Sequence, residues 1–327
     1  MNRPVAHGTH LGVMIPEVVA GLAANGAGRY LDATFGSGGH AVGLLEASAP
    51  QGKVVGLDRD PAAIERAQGL LERYAGRLFV HEAPFSELGS MLSQQGWDRI
   101  DGAIFDLGVS SQQLDTAERG FSFRFDGPLD MRMDQGRHTE ITAAHLVNEL
   151  DAPSLARLFH QLGEEPHAKR AARAIVEIRV RQPFRTTRQL AALMEEKLPR
   201  GRVGLHPATR IFQALRMAVN DELEQLRLGL WAVMEHLSAG GRLAVISFHS
   251  LEDRLVKQTF KEASTPPPVT GPMRLLPPEA ASLPSFRLVT RKPRTPGIDE
   301  LRVNPRARSA KLRIIERREH SQPSGIA

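Results

Sequence analysis

Short apolar runs alternate with segments of helical periodicity through the first 107 residues. The runs predict strands at 30–34, 53–58, 78–82 and 100–107, and the segments between them predict helices at 40–47, 61–74 and 86–95. Asp60 followed by Pro61 marks a helix start, because aspartate caps a helix and proline suits its first position. Strands and helices in strict alternation predict a parallel sheet in an α/β fold.

The alternation stops between about 113 and 207, where the pattern is helical throughout. Helices are predicted there at 142–150, 153–162, 165–181 and 187–198. The α/β pattern then resumes with a helical segment at 208–237 and strands at 242–248, 286–290 and 310–316, with a proline-rich loop at 266–284. We therefore predict a discontinuous α/β domain, an inserted helical domain and a disordered tail. Their ranges are 1–112 with 208–320, 113–207, and 321–327.

Composition excludes several classes of protein. The chain has no cysteine, which excludes disulfide scaffolds, zinc knuckles, thiolate nucleophiles and iron–sulfur clusters. Its twelve histidines show no metal-ligand spacing, so no metal is expected. There is no apolar run of membrane length and no export signal, and we expect a cytoplasmic protein without a membrane partner.

Positive charge is concentrated near the end of the chain. The formal net charge is +5, but residues 285–320, called the basic segment below, hold eleven Lys/Arg against four Asp/Glu. Only seven of the 42 basic residues are lysine, and a GC-rich genome alone would explain that arginine bias. It would not explain the clustering. The basic segment predicts a polyanionic partner, and nucleic acid is favoured over membrane.

A glycine-rich turn follows the first strand, within the segment 32–41 (DATFGSGGHA). Glycines let a ligand approach the backbone, and the helix that follows offers free N–H groups. Asp58 ends the second strand, 22 residues after Gly36, where an acid suits two ribose hydroxyls. The pattern fits a dinucleotide or S-adenosylmethionine (SAM) equally, and a turn without a ligand is the weaker alternative.

Asp106 ends the fourth strand, beside the topological switch point of a doubly wound sheet. A methyltransferase acting on an amino group needs an acceptor there, because the lone pair of an exocyclic amine is delocalised into its ring. The equally weighted alternative is that Asp106 only caps a turn into Ser110 and Ser111.

Long motifs now give a specific resemblance. They are TFGSGGH at 34–40, DRDP at 58–61, DLGVSS at 106–111, AERGFSF at 117–123, GPLDMRMD at 127–134, HPATR at 206–210, FQA at 212–214, ISFHSLEDR at 246–254 and NPRARS at 304–309. The chain resembles the ribosomal small subunit methyltransferase H family, also called MraW. The resemblance implies a class I SAM-methyltransferase fold with an inserted helical domain. It also implies methylation of N4 of a cytidine in the decoding (P-site) region of 16S ribosomal RNA.

The family's cofactor positions map onto this sequence by the same resemblance. They are Gly38, Gly39 and His40 at the methionine end, Asp58 at the ribose, Phe85 beside the adenine, and Asp106 and Gln113. Phe85 has a second interpretation as a core residue after the third strand. Asp106 is also the predicted catalytic residue, as the acceptor for the amine.

Six residues are candidates for contact with RNA. Phe123 and Arg124 combine an aromatic ring with a cation, which suits an unpaired base and its phosphate, whereas the neighbouring Phe121 equally suits a core position. Asp130 either accepts from the amine or pairs with an arginine. His249 lies after the fifth strand, on the site's rim or as a helix cap. Arg306 and Arg308 belong to the basic segment.

We predict a SAM-dependent RNA methyltransferase whose partner is 16S rRNA within the small ribosomal subunit. A homodimer is one of the oligomeric states considered. One rival is a dinucleotide-dependent oxidoreductase, which leaves the basic segment and Asp106 without a role. A non-enzymatic RNA-binding assembly factor is the other rival, and DNA is an alternative polyanion.

Overall fold

The computed structural model describes residues 12–199, 205–266 and 283–319. The chain forms two compact units, one of Met1–Gly108 with Gln225–Ala327 and one of Val109–Glu224. The sequence-based domain bounds, 112 and 207, differ from the limits of these units and remain a prediction. The tail at 321–327 and residues 267–282 of the proline-rich loop lie outside the described residues.

A seven-stranded sheet forms the first unit, called the sheet unit below. Its strands are β1 (Arg29–Asp32), β2 (Lys53–Asp58), β3 (Leu78–Glu82), β4 (Ile100–Asp106), β5 (Leu237–Ser247), β6 (Phe286–Leu288) and β7 (Lys311–Arg317). They lie in the order β3-β2-β1-β4-β5-β7-β6, and β7 is antiparallel to both of its neighbours. This is the order of class I SAM-dependent methyltransferases, so the predicted fold class is confirmed.

Helices connect the strands and make up most of the second unit. They are α1 (Ile15–Leu22), α2 (Gly39–Ala47), α3 (Pro61–Arg66), α4 (Gln68–Arg73), α5 (Leu88–Gln94), α6 (Ser111–Asp115), α7 (Ala143–Glu149), α8 (Ala152–Gly163), α9 (Ala168–Arg179), α10 (Thr187–Lys197), α11 (Thr209–Val219), α12 (Glu222–His236), α13 (Ser250–Ala263) and α14 (Ile298–Val303). Short 3-10 helices lie at Phe85–Glu87, Ala117–Arg119 and Pro305–Ser309. None of the described helices has the length and apolar character needed to cross a membrane.

Both faces of the sheet are covered, which explains the uninterrupted apolar runs of its strands. Successive side chains of a strand point to opposite faces. Leu31 and Phe105 therefore belong to one buried cluster, while their neighbours Tyr30 and Ile104 belong to the other. Full burial of side chains of this size stabilises a fold by about 1.5–3 kcal/mol each.

The second unit, Val109–Glu224, is called the helical unit below and has a core of its own. Phe159, Ile175 and Leu215 are fully buried in a cluster drawn entirely from this unit. Among its described residues the structure shows one isolated β-bridge, between Pro128 and Thr186, and no strand. Because it buries its own apolar side chains, the helical unit is not merely an extended loop.

The observed elements depart from the predicted ones in several places. Helices α1 and α14 were not predicted, and two of the predicted elements differ for identifiable local reasons. The single helix predicted for 61–74 is two helices, because the N–H of Ala67 is shared between the carbonyls of Ala63 and Ile64 and the next turn restarts. Strand β5 begins at Leu237 rather than at 242. Its register against β4 shifts between Ile100 and Gly102, and this irregularity brings the glycine pair at 240–241 into the strand.

Candidate active site

The turn between β1 and α2 passes through two glycines in the left-handed region, Gly36 at φ 54° and Gly38 at φ 80°. A β-carbon on Gly38 would lie 2.5 Å from Cδ1 of Leu70, so space as well as backbone conformation requires glycine there. Gly38 is the N-cap of α2, and the predicted cofactor positions Gly39 and His40 form its first turn. A helix start of this kind offers backbone N–H groups to a ligand.

Asp32 holds this turn in place and is absent from the sequence-based candidates. It is fully buried at the end of β1; its Oδ2 accepts from the N–H of Ala41 at 3.0 Å and its Oδ1 from Thr34 at 3.2 Å. Burial raises the pKa of Asp32 to about 6. The sequence did contain a signal, because β1, β2 and β4 all end in aspartate.

Asp58 ties β2 to the same turn. Its Oδ2 accepts from the N–H of Gly36 and its Oδ1 from the N–H of Asp60, both at 2.8 Å. Burial raises the pKa of Asp58 to about 6. Each carboxylate oxygen has a further lone pair, so Asp58 is oriented by the backbone and still able to accept from two hydroxyls.

Asp106 lies at the end of β4, the strand next to β1. Its N–H donates to Oγ1 of Thr34 at 2.7 Å, which joins the strand end to the glycine-rich turn. Its Oδ2 lies 3.7 Å from Nδ1 of His40, whose Nε2 is 2.9 Å from the carbonyl oxygen of Val13. Within the described part of the chain, Oδ1 of Asp106 is buried and has no hydrogen-bond partner.

The surroundings of Asp106 favour its protonated form. Burial raises the pKa of its carboxyl to about 8, and the charges of Glu252 and Glu300 act in the same direction. A hydrogen bond from the Val13 backbone opposes them. A buried acceptor oxygen without a partner is costly, so the site is suited to a ligand that brings an N–H or O–H donor.

Phe85 occupies the core position that was one of its two interpretations, and its role beside an adenine stays a prediction. It begins the 3-10 helix after β3, and its half-buried ring meets Phe105 edge to face with centroids 5.0 Å apart. Phe85 thus packs against the core of the sheet unit. The residue is only partly buried and lies just after the carboxyl end of β3.

Four predicted site residues lie in the helical unit. Gln113 caps α6 through reciprocal hydrogen bonds with Ser110, and its side chain is buried. The ring of Phe123 packs against His206 at 4.5 Å, and Arg124 beside it is exposed. Asp130 forms a bidentate pair with a neighbouring arginine, which is the alternative that the sequence left open for it. Their roles toward cofactor and RNA stay predictions.

Three predicted RNA contacts lie in the sheet unit. His249 caps α13: its Nδ1 accepts from the N–H of Glu252 at 3.4 Å, and its Nε2 lies 3.0 Å from Oε1 of the same residue. The capping interpretation is therefore realised, and its role on the rim is untested. Arg306 and Arg308 are exposed on the 3-10 helix Pro305–Ser309, on either side of the fully buried Ala307.

Comparison with known proteins decides among the functions that the sequence allowed. The model of the MraW methylase family matches residues 7–318. The chain belongs to this family. The predicted resemblance, methyltransferase activity and SAM cofactor are thereby confirmed, and the oxidoreductase alternative is wrong.

Relatives agree over nearly the whole chain. A protein of Magnetococcus marinus is 52% identical over 312 residues, which cover 94% of this chain and 98% of the relative. One from Thermomicrobium roseum is 49% identical over 315 residues, covering 95% and 94%, and one from Trichlorobacter lovleyi is 48% identical over 310 residues, covering 94% and 98%. Each is named ribosomal RNA small subunit methyltransferase H. In this MraW methylase the glycine-rich turn, Asp58 and Asp106 lie at the ends of the neighbouring strands β1, β2 and β4.

Proposed function

We propose that this MraW methylase transfers the methyl group of SAM to N4 of a cytidine in the decoding (P-site) region of 16S rRNA, acting on the small ribosomal subunit in the cytoplasm. The observation that carries the proposal is the buried, unpartnered Oδ1 of Asp106 beside the glycine-rich turn. The names of the relatives support rRNA as the substrate, and the motif resemblance supports the nucleotide and its atom.

The residues at the strand ends fit SAM. Gly38, Gly39 and His40 would receive its methionine end, Asp58 its ribose hydroxyls and Phe85 its adenine. Asp106 and Gln113 complete the set by resemblance. When bound, SAM supplies an electrophilic methyl group on a sulfonium. The fit rests on two observations, the left-handed glycine turn that leads into the N-terminus of α2 and the backbone-oriented carboxylate of Asp58.

The chain positions and desolvates the nucleotide more than it activates it. An unpaired or flipped cytidine enters the site, as enzymes that modify bases require. The free oxygen of Asp106 accepts a hydrogen bond from the N4 amine, which favours the rehybridised nitrogen and aligns its lone pair. SAM, when bound, would supply its methyl group to this nitrogen with loss of the carbon–sulfur bond, and the proton released from nitrogen would pass to solvent.

Transfer of labelled methyl from SAM tests the proposal on three acceptors: small subunits lacking the modification, naked 16S rRNA and duplex DNA. We expect label on intact subunits, at cytidine N4 by mass spectrometry of the nucleosides. Label on another atom or only on DNA contradicts the proposed substrate. SAM binding with no label on any acceptor favours the assembly-factor alternative.

The raised pKa of Asp106 predicts a pH dependence. Because burial raises that pKa to about 8, the carboxyl keeps its proton below this pH, and the acceptor is lost as the pH falls. With both substrates below saturation, kcat/KM is expected to rise with pH and level off above about 8. The residual kcat/KM of an Asp106→Ala variant should not show this rise with pH. If kcat/KM instead rose near pH 4, where carboxyl groups ordinarily titrate, the pH dependence could not be assigned to Asp106.

Salt dependence tests the basic segment. If Arg308, exposed on its 3-10 helix, neutralises one RNA phosphate, Arg308→Ala should weaken subunit binding and reduce the slope of log K against log salt by about 0.7–0.9. The charge-matched control is Arg73→Ala, an exposed arginine of α4 paired with Glu46 outside the basic segment. Equal slopes for Arg308→Ala and the unaltered protein would remove Arg308 from the RNA contacts.

A further inference from the structure

A residue of the basic segment reaches the start of the described chain. Oε1 of Glu300, on α14, accepts from the backbone N–H of Met14 at 2.7 Å, across 286 positions of sequence. Met14 is buried and adopts φ 55° and ψ 35°. A non-glycine residue occupies this left-handed region only where its surroundings hold it there. The hydrogen bond from Met14 to Glu300 is one such constraint.

The residue before Met14 contacts His40, the neighbour of Asp106 in the candidate site. The carbonyl oxygen of Val13 lies 2.9 Å from Nε2 of His40, whose Nδ1 lies 3.7 Å from Oδ2 of Asp106. The Val13 backbone also acts to lower the pKa of Asp106. Because Val13 and Met14 are consecutive, the conformation imposed at Met14 helps to determine where the carbonyl group of Val13 points. Glu300 is thus linked through the backbone of Met14 and Val13 to His40, which lies beside Asp106.

The other end of this connection is anchored as well. Leu301, next to Glu300, packs against the buried cluster that contains Val13 and Met14. After α14 the chain enters the 3-10 helix that carries Arg306 and Arg308, whose buried residue Ala307 belongs to the same cluster. The 3-10 helix that carries the arginines and the helix that carries Glu300 are therefore fixed to the same buried cluster.

We infer that Glu300 is a positioning residue, which couples the RNA-binding part of the basic segment to the placement of His40 and Asp106. The inference rests on the proposed function, since it concerns the same reaction. It implies that Asp106 is fully aligned only while α14 is docked. Phosphate contacts at Arg306 and Arg308 would then favour the docked position.

Three variants of the full chain separate positioning from a general loss of stability. Glu300→Gln keeps an oxygen that can accept from Met14 but removes the charge, whereas Glu300→Ala removes both. Asp299→Ala is the matched control, because the side chain of Asp299 on the same helix is 98% exposed and forms an ion pair with Arg302. Each is assayed for kcat and KM on subunits, SAM affinity, thermal stability and pH dependence.

We expect Glu300→Ala to lower kcat by about ten- to a hundredfold, the range for losing a hydrogen bond to a charged acceptor, with SAM affinity within about twofold. Glu300→Gln should restore kcat above pH 8. In this variant the rate should begin to rise at lower pH than in the unaltered protein, because one of the charges that raise the pKa of Asp106 has been removed. Asp299→Ala should keep the original kcat and the original pH dependence.

The charged and titratable groups around Asp106 are His40 from α2, Asp32 from β1, Glu252 from α13 and Glu300 from α14. The carboxyl carbon shift of Asp106, followed by NMR across pH, reads its titration without any turnover. We expect a lower midpoint in Glu300→Gln than in the unaltered protein.

Two results would overturn the inference. One is an unchanged kcat and midpoint in Glu300→Ala; the other is a loss that glutamine fails to restore and that follows thermal stability. An unaltered protein that binds SAM yet methylates no subunit would instead refute the proposed function. In that case the NMR midpoints still test the positioning, because Glu300→Ala and Glu300→Gln both lack the charge and only the alanine variant lacks the acceptor for Met14; equal midpoints in the two variants would contradict the inference.

Discussion

Asp106→Ala is expected to lower kcat for methyl transfer by about 10²–10³-fold, the usual cost of removing one preorganised hydrogen-bonding group from a reacting atom. The reason is the geometry of the free oxygen. Oδ1 of Asp106 is buried without a partner, while the backbone N–H of the same residue is fixed to Thr34. Alanine leaves the amine of the nucleotide without its acceptor, and single-turnover methylation of small subunits measures the loss.

Asp101→Ala is the control for this variant, since Asp101 lies on the same strand and accepts from the backbone N–H of Arg29 away from the glycine-rich turn. It should retain the original rate. Methylation by Asp106→Ala at nearly the original rate would leave Asp106 as a turn-capping residue only. Ribosome binding that survives without SAM, with no methyl transfer by either protein, would favour an assembly factor.

Asp58→Ala is expected to raise the Kd for SAM at least tenfold. Hydrogen bonds to a charged acceptor contribute about 1.5–3 kcal/mol each, and the ribose would lose two. The variant also leaves the N–H groups of Gly36 and Asp60 without their acceptor, so the glycine-rich turn loses its attachment to β2. Titration calorimetry with SAM measures both effects together.

Asp58→Asn separates them, because its amide oxygen can still accept from one backbone N–H. We expect an affinity between those of the alanine variant and the unaltered protein. The charge-matched control is Asp98→Ala, at an exposed position before β4. If Asp58→Ala bound SAM as tightly as the control, the ribose would have to be held elsewhere.

Local patterns were sufficient where one physical effect dominates. Strands β2 and β3 begin and end at the predicted residues, because they are apolar runs flanked by turn residues. The Asp60 cap also forms as predicted, with its side chain accepting from the N–H of Ala62. The start of β5 was wrong by five residues, because a register irregularity depends on the partner strand and leaves no local signal.

The residues of the candidate site likewise divide into those that local patterns could predict and those that they could not. Asp58 and Asp106 could be found because strand ends meet at one edge of a parallel sheet. His249 could not be assigned, because a histidine that caps a helix and one on a site's rim follow a strand at the same position. The bond between Glu300 and Met14 joins residues 286 positions apart, and no periodicity within either segment indicates it.

The strand order also determines when the protein is complete during its synthesis. β5 pairs with β4 on one side and with β7 on the other, and β6 is joined to the sheet through β7 alone. Until residues 311–317 leave the ribosome, β5 presents an unpaired edge, which is the kind of edge that invites aggregation. Those residues lie within the basic segment. A nascent chain therefore completes its sheet and its proposed RNA-binding surface in the same late step, so an unfinished molecule lacks both.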